Sequence, residues 1–129
     1  MARPVATQPT EVELQILGVL WELGPSTVRQ VHRALAPQRD TGYSTTLKMM
    51  QVMLDKGLVR RNDTVRPQVY RAAKSKPQTQ VQMLDDLTQK VFGGSAKRLV
   101  MQMVSTGRLS PEEMAEIQRL AESVEGEQK

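Results

Sequence analysis

Apolar residues recur along this chain at helical spacing through six stretches, with two short extended segments between the third and the fourth. Thr10-Glu11-Val12-Glu13 has the form of a capping box, the Thr10 hydroxyl meeting the Glu13 amide. It predicts a first helix to about Leu23, with Val12, Ile16, Val19, Leu20 and Leu23 on one stripe. Gly24-Pro25 breaks it, and Ser26 or Thr27 caps a second helix whose inward residues are Val28, Val31, Ala34 and Leu35. After a turn over Gln38–Gly42, a third helix starts near Ser44 and carries Thr46, Met50 and Met53 on one face. At about 100° per residue, Ser44, Thr45, Lys48, Gln51, Val52 and Asp55 fall on the opposite side. Gly57 suits a left-handed helix end. Two extended segments follow, Leu58–Asn62 and Gln68–Ala72, joined by Asp63–Pro67.

Beyond this hairpin the pattern changes. Lys74–Gln80 is polar, contains Pro77 and is a candidate linker. Val81, Leu84, Leu87, Thr88 and Val91 then mark a fourth helix, and Gly93-Gly94-Ser95 breaks it. Leu99, Val100, Met103 and Val104 mark a fifth helix, ending near Gly107. Ser110-Pro111-Glu112-Glu113, a capping box with proline at the first helical position, opens a sixth. That helix carries Met114, Ile117, Leu120, Ala121 and Val124, and Glu125–Lys129 is expected to fray. Three short amphipathic helices cannot easily bury their apolar stripes alone. They either pack back on the preceding domain or form a homodimer interface, and the second is favoured. Its candidate residues are Leu84, Leu87, Val91, Leu99, Val100, Met103, Ile117 and Leu120.

The expected organisation is mainly α. An arm over residues 1–9, expected to be disordered, precedes a domain over residues 10–74 built of three helices and a β-hairpin. A helical dimerisation domain follows over residues 75–129. Helix, helix, helix, hairpin is the order of a winged helix, whose third helix enters a DNA groove.

Charge supports that placement. The chain carries a net +4, but residues 1–74 hold 11 Lys and Arg against 6 Asp and Glu, whereas residues 75–129 hold 7 against 8. The basic excess lies with the third helix, as phosphate contact requires. Aromatic residues number only four, Trp21, Tyr43, Tyr70 and Phe92, which argues against the stacking platforms of single-strand and RNA binders. The longest apolar stretch, Ile16–Trp21, is far shorter than the roughly 20 residues of a membrane-spanning helix. No apolar run precedes Glu11 and Glu13, so no signal peptide is expected and a cytoplasmic location follows.

The chemistry converges on double-stranded DNA. Ser44 and Thr45 supply short hydroxyls at the start of the third helix, beside free helix amides suited to phosphate. The Thr45 methyl can meet a thymine, Lys48 can reach guanine acceptors and Gln51 can pair with adenine. Tyr43 stands at the same end. Four arginines, Arg60, Arg61, Arg66 and Arg71, fall on the hairpin. Strand alternation sends Arg60 and Arg61 to opposite faces, so only one of them can serve the interface. Arg66 near the tip is the strongest wing contact, while Thr27 and Arg29 at the start of the second helix are weaker ones.

Enzyme signals are missing. His32 is the only histidine and there is no cysteine, so neither a catalytic triad nor a classical metal cluster is supported. Asp85-Asp86 and Glu112-Glu113 are adjacent carboxylates, which do not face each other on a helix. Gly93-Gly94-Ser95 is too short for a phosphate loop. No catalytic residue, metal or cofactor is expected.

Several stretches together resemble a known family. They are Val19-Leu20-Trp21-Glu22-Leu23-Gly24-Pro25-Ser26-Thr27-Val28-Arg29-Gln30-Val31, Tyr43-Ser44-Thr45-Thr46, Lys56-Gly57-Leu58-Val59, Val69-Tyr70-Arg71 and Phe92-Gly93-Gly94-Ser95. In order and spacing they resemble the penicillinase repressor (BlaI/MecI/CopY) family from about Thr10 to Ala121. The resemblance implies a winged-helix domain and a helical dimerisation domain. It also implies a homodimeric bacterial repressor on a dyad operator, and release through proteolysis triggered by a membrane sensor of antibiotic. Three departures stand out. The family often has arginine where Val52 stands, which implies a different base preference or number of phosphate contacts. Its Asn-Phe cleavage pair corresponds, by spacing from Leu109-Ser110, to Gln102-Met103, the possible regulatory cleavage position. The copper-responsive branch uses a Cys-rich metal motif, which zero cysteines remove.

The expected function is therefore sequence-specific repression by a homodimer, with operator DNA, a second copy of the chain and a sensor-linked protease as partners. The alternatives are a winged-helix protein-interaction module and a repressor released by a small molecule rather than by proteolysis.

Overall fold

The computed structural model describes residues 8–128, and the expected arm falls outside them up to residue 7. Its elements run α1 (Glu11–Leu23), α2 (Val28–Leu35), α3 (Tyr43–Lys56), β1 (Val59–Asn62), β2 (Val69–Ala72), α4 (Lys76–Val91), α5 (Ala96–Ser105) and α6 (Pro111–Gln128). The fold is mainly helical with one two-stranded antiparallel sheet, the winged-helix order. Among the described residues no helix is long and apolar enough to cross a membrane.

Local chemistry sets the helix ends. The Thr10 amide donates to Glu13 Oε1 (2.9 Å) and the Glu13 amide donates to Thr10 Oγ1 (3.2 Å), which closes the capping box of α1. Thr27, not Ser26, caps α2, in a reciprocal pair with Gln30. Ser26 instead forms a β-bridge with Tyr70, its amide and carbonyl both bonded to the Tyr70 backbone at 2.9 and 2.8 Å. The segment between α1 and α2 is thereby tied to the hairpin. Gly57 takes a left-handed conformation (φ 82°) and ends α3, with the Leu58 amide bonded back to the Met53 carbonyl.

The chain falls into two compact units, Met1–Met83 and Leu84–Lys129, and the division lies inside α4. The first unit has a closed core of Ile16, Leu17, Leu20, Val28, Val31, Leu35, Met50, Met53, Val59 and Tyr70. Trp21 adds a tie across it, its indole N–H donating to the Lys74 carbonyl at 3.0 Å. Leu23 and Ala34, expected on the inward stripes, are exposed, while Leu17 is buried. The reason is position. Leu23 closes the last turn of α1 beside Gly24, and core packing selects Val28, Val31 and Leu35 of α2 without Ala34.

The polar segment expected as a linker is largely helical, since α4 begins at Lys76. Ser75 and Gln78 form a capping box, with bonds of 2.9 and 3.2 Å, and Pro77 sits in the first turn, where its missing N–H costs no helical bond. At the other end α6 continues to Gln128 where fraying is expected. Ser110 and Glu113 form its reciprocal cap, and α5 is capped by Ser95.

Candidate nucleic-acid interface

The start of α3 carries the expected polar groups, and its cap leaves them free. Gly42 is the N-cap and offers no side-chain bond to the helix. Ser44 and Thr45 therefore lie within the helix and not at its cap, and both are exposed, as are Lys48 and Gln51. Thr46, Met50 and Met53 turn inward. The third helix thus divides into a buried face and a solvent face along the line its periodicity predicts.

Tyr43, the first residue of α3, is held against α2. Its ring meets the His32 imidazole edge to face (centroids 5.9 Å apart, planes at 82°), and the Arg29 guanidinium lies 5.0 Å from its centroid. His32 Nδ1 lies 3.1 Å from Thr46 Oγ1, a second link between the two helices. These contacts orient the end of α3 that presents the hydroxyls.

Two concavities gather most of the expected residues. Thr27, Arg29, Tyr43 and Arg66 line one, together with Leu47 and Gln68. Thr45 and Lys48 line the other, with Thr10, Glu13, Met49 and Val52. Ser44, Gln51 and Arg60 belong to neither and stand on the open surface. The Thr27 hydroxyl accepts the Gln30 amide (3.1 Å), and its O–H remains free to donate.

The hairpin sorts its arginines in a way the sequence left partly open. In the register, Arg60 pairs with Arg71 and Arg61 with Tyr70. Arg61 folds onto the Tyr70 ring (6.0 Å) and bonds Asp63, whose carboxylate raises the pKa of the guanidinium. Arg60 and Arg71 lie directly opposite each other, both exposed, and pair with no carboxylate among the described residues. Like charges facing across a strand pair repel unless an anion sits over them. Arg71 is one of the four hairpin arginines in sequence, and the register adds that it shares a face with Arg60. Arg66, expected to reach outward, turns back: its guanidinium donates to the carbonyls of Asp63 (2.6 Å) and Val65 (3.1 Å).

One further feature lies under α3. Glu13 is buried, and its Oε2 accepts from Lys56 Nζ at 2.8 Å. Burial alone would push the carboxyl pKa up, but bonds from Lys56 and the Thr10 amide and the Lys56 charge outweigh it and hold the value low. This pair fastens the end of α3 to the start of α1.

In the second unit, Leu84, Leu87, Val91, Val100, Met103, Ile117 and Leu120 are 39–65 % exposed, and Leu99 is half-buried. Gln102 and Met103 lie inside α5, and the Gln102 carbonyl accepts from the Thr106 amide (3.0 Å) and hydroxyl (2.8 Å). Among the described residues no cluster of three or more His, Cys, Asp or Glu side chains could hold a metal.

Two Mycobacterium tuberculosis proteins named transcriptional regulator BlaI, from strains CDC 1551/Oshkosh and ATCC 25618/H37Rv, are each 39% identical over 54 residues. That stretch is 41% of this chain and spans only 39% of each regulator's length. A MarR family protein from Bacillus stearothermophilus has a TM-score of 0.48 at 20% identity, covering 92% of this chain and 74% of that one. The profile of the penicillinase repressor family matches residues 9–123, nearly the whole chain and both compact units. The chain belongs to the penicillinase repressor family of transcriptional regulators, which are not enzymes.

Proposed function

We propose that the protein is a homodimeric repressor that binds a dyad operator, with α3 of each copy in the major groove and the hairpin over flanking phosphates. The observation that carries this reading is the solvent face of α3. Ser44, Thr45, Lys48 and Gln51 stand exposed on a helix whose start is capped by Gly42, so their polar groups are uncommitted to the fold. Arg29, against Tyr43 at the start of α3, and Arg60 and Arg71 on the hairpin add exposed positive charge suited to phosphate. The exposed apolar side chains of α4, α5 and α6 support dimerisation, since a second copy would cover them and set two recognition helices on one two-fold axis.

The half-sites are expected on one face of DNA, about 34 Å or a multiple apart. Mobility shift on promoter fragments at two salt concentrations, with sedimentation of the free protein, tests both parts. Retardation that weakens steeply with salt and a dimeric sedimentation coefficient are expected. No retardation at low salt would favour a protein-interaction module. Gln102–Met103 stands where the family has its Asn-Phe cleavage pair, and because the pair is helical, any proteolysis there would require α5 to open locally first.

A further inference from the structure

The solvent face of α3 is not uniformly polar. Val52 is 41 % exposed there, on the helix whose other exposed residues are hydroxyl, amide and charged. It follows Lys48 by four residues and Thr45 by seven, so the three share one stripe. All three line one recess, together with Met49 and Glu13. A single exposed valine is ordinary on a protein surface. This one shares its recess with Thr45 and Met49, which makes a small apolar patch inside an otherwise polar face.

The recess also lacks the charge that would repel DNA. Glu13 is its carboxylate, and both oxygens are already paired, Oε1 with the Thr10 amide (2.9 Å) and Oε2 with Lys56 (2.8 Å). Lys48 at the rim supplies a cation that favours a polyanion. An apolar spot beside a cation on a groove-facing helix matches one chemical feature of double-stranded DNA. The thymine 5-methyl is the apolar group that a base pair presents in the major groove. Cytosine carries only a hydrogen at that carbon, so valine would lose the methyl contact, and the neighbouring cytosine amino group would find no acceptor on it.

We propose that Val52 and Thr45 are specificity-determining residues that read two thymine methyl groups in each half-site, on either side of the base met by Lys48. The inference rests on α3 being the groove helix. Seven residues at about 1.5 Å each place the two side chains roughly 10 Å apart along the helix. That distance corresponds to about three base-pair steps of 3.4 Å, so the two thymines are expected about three positions apart.

The test uses the full chain and two random duplex pools, one made with thymine and one with deoxyuridine in its place, which lacks only the methyl. Selection from the thymine pool should enrich thymine at two such positions, and selection from the deoxyuridine pool should lose that preference. In the selected site, replacing the thymine met by Val52 with deoxyuridine should weaken wild-type binding about three- to five-fold, the worth of one buried methyl. Val52→Ala should bind the thymine site correspondingly less tightly and be indifferent to this replacement, while Val52→Thr, which keeps one methyl, should retain part of the response. Thermal melting of each variant checks that it is folded. Unchanged affinity for every deoxyuridine replacement, or a Val52→Ala protein as sensitive as the wild type, would overturn the proposal. If neither pool yields a motif, the groove-helix reading itself fails and the proposal falls with it. A motif found without methyl dependence removes the proposal alone.

Discussion

The two units handle apolar side chains in opposite ways. In the first, Ile16, Val31, Met50 and Met53 are fully shielded from water, and Tyr70 closes the core from the hairpin side. In the second, no apolar residue is fully buried among the described ones, and Val91 and Leu120 are each 65 % exposed. Both units are made of amphipathic helices with well-formed caps. The difference lies in what each stripe has to pack against. The first unit adds a hairpin and the Ser26–Tyr70 bridge, and so surrounds its core. Three helices without a sheet expose nearly all of theirs. Helical periodicity marks the face that wants to be buried and is silent about what buries it.

Substitutions in the two units should therefore fail differently. Ile16→Ala is expected to cost about 2–5 kcal/mol in urea unfolding, independent of protein concentration. Leu87→Ala should show a cost that shrinks as the protein is diluted, because under the proposed dimer the lost contact is with a second copy. Equal and concentration-independent costs would remove the contrast.

Ile117→Asp tests the second unit alone. The helices should remain formed, while sedimentation shows a monomer and operator affinity falls about a hundredfold through loss of paired binding. A dimer that survives this charge would place the interface elsewhere.

Within the first unit, Lys56→Met leaves the Glu13 carboxylate buried without its cation and should cost about 1–3 kcal/mol in the same unfolding measurement. The Glu13 pKa is held low in the folded chain. Its contribution is thus present at neutral pH and is lost as pH falls from about 4.5 through the lower folded value. Glu13→Gln should flatten that part of the acid limb in a pH series of melting curves. A wild-type limb in the variant would show that Glu13 contributes nothing there.

The proposed single DNA contacts are read in binding and not in unfolding. Lys48→Ala should relax preference at one base position by about 1–3 kcal/mol, read by a base-substitution series. Arg60→Ala should lower the salt slope of binding by about one unit. Arg66→Ala should change it less, because its guanidinium is already bonded to the Asp63 and Val65 carbonyls. The reverse order would mean that Arg66 leaves those carbonyls when DNA arrives.

Much of this was legible from local signals. Thr10 with Glu13, and Ser110 with Glu113, announce helix starts because capping joins groups three residues apart. The two faces of α3 follow from its period, and Gly57 from the need for a left-handed end. Other features depend on distant neighbours. Glu13 looks like a cap in sequence, yet it also holds Lys56, 43 residues away. Ser26 looks like a cap and is a strand partner of Tyr70. Lys74–Gln80 looks like a linker because Pro77 is prominent, while the cap formed by Ser75 and Gln78 makes proline tolerable in a first turn.

The chain's order of polar and apolar residues thus settled the elements, their ends and the face of α3 that meets solvent, since caps and periodicity act within a few residues. Packing settled the rest: that Arg60 and Arg71 share one face of the hairpin, and that the carboxylate of Glu13 is neutralised by Lys56 at the end of α3. Those outcomes depend on strand register and on contacts between residues far apart in the chain, and no local pattern encodes them.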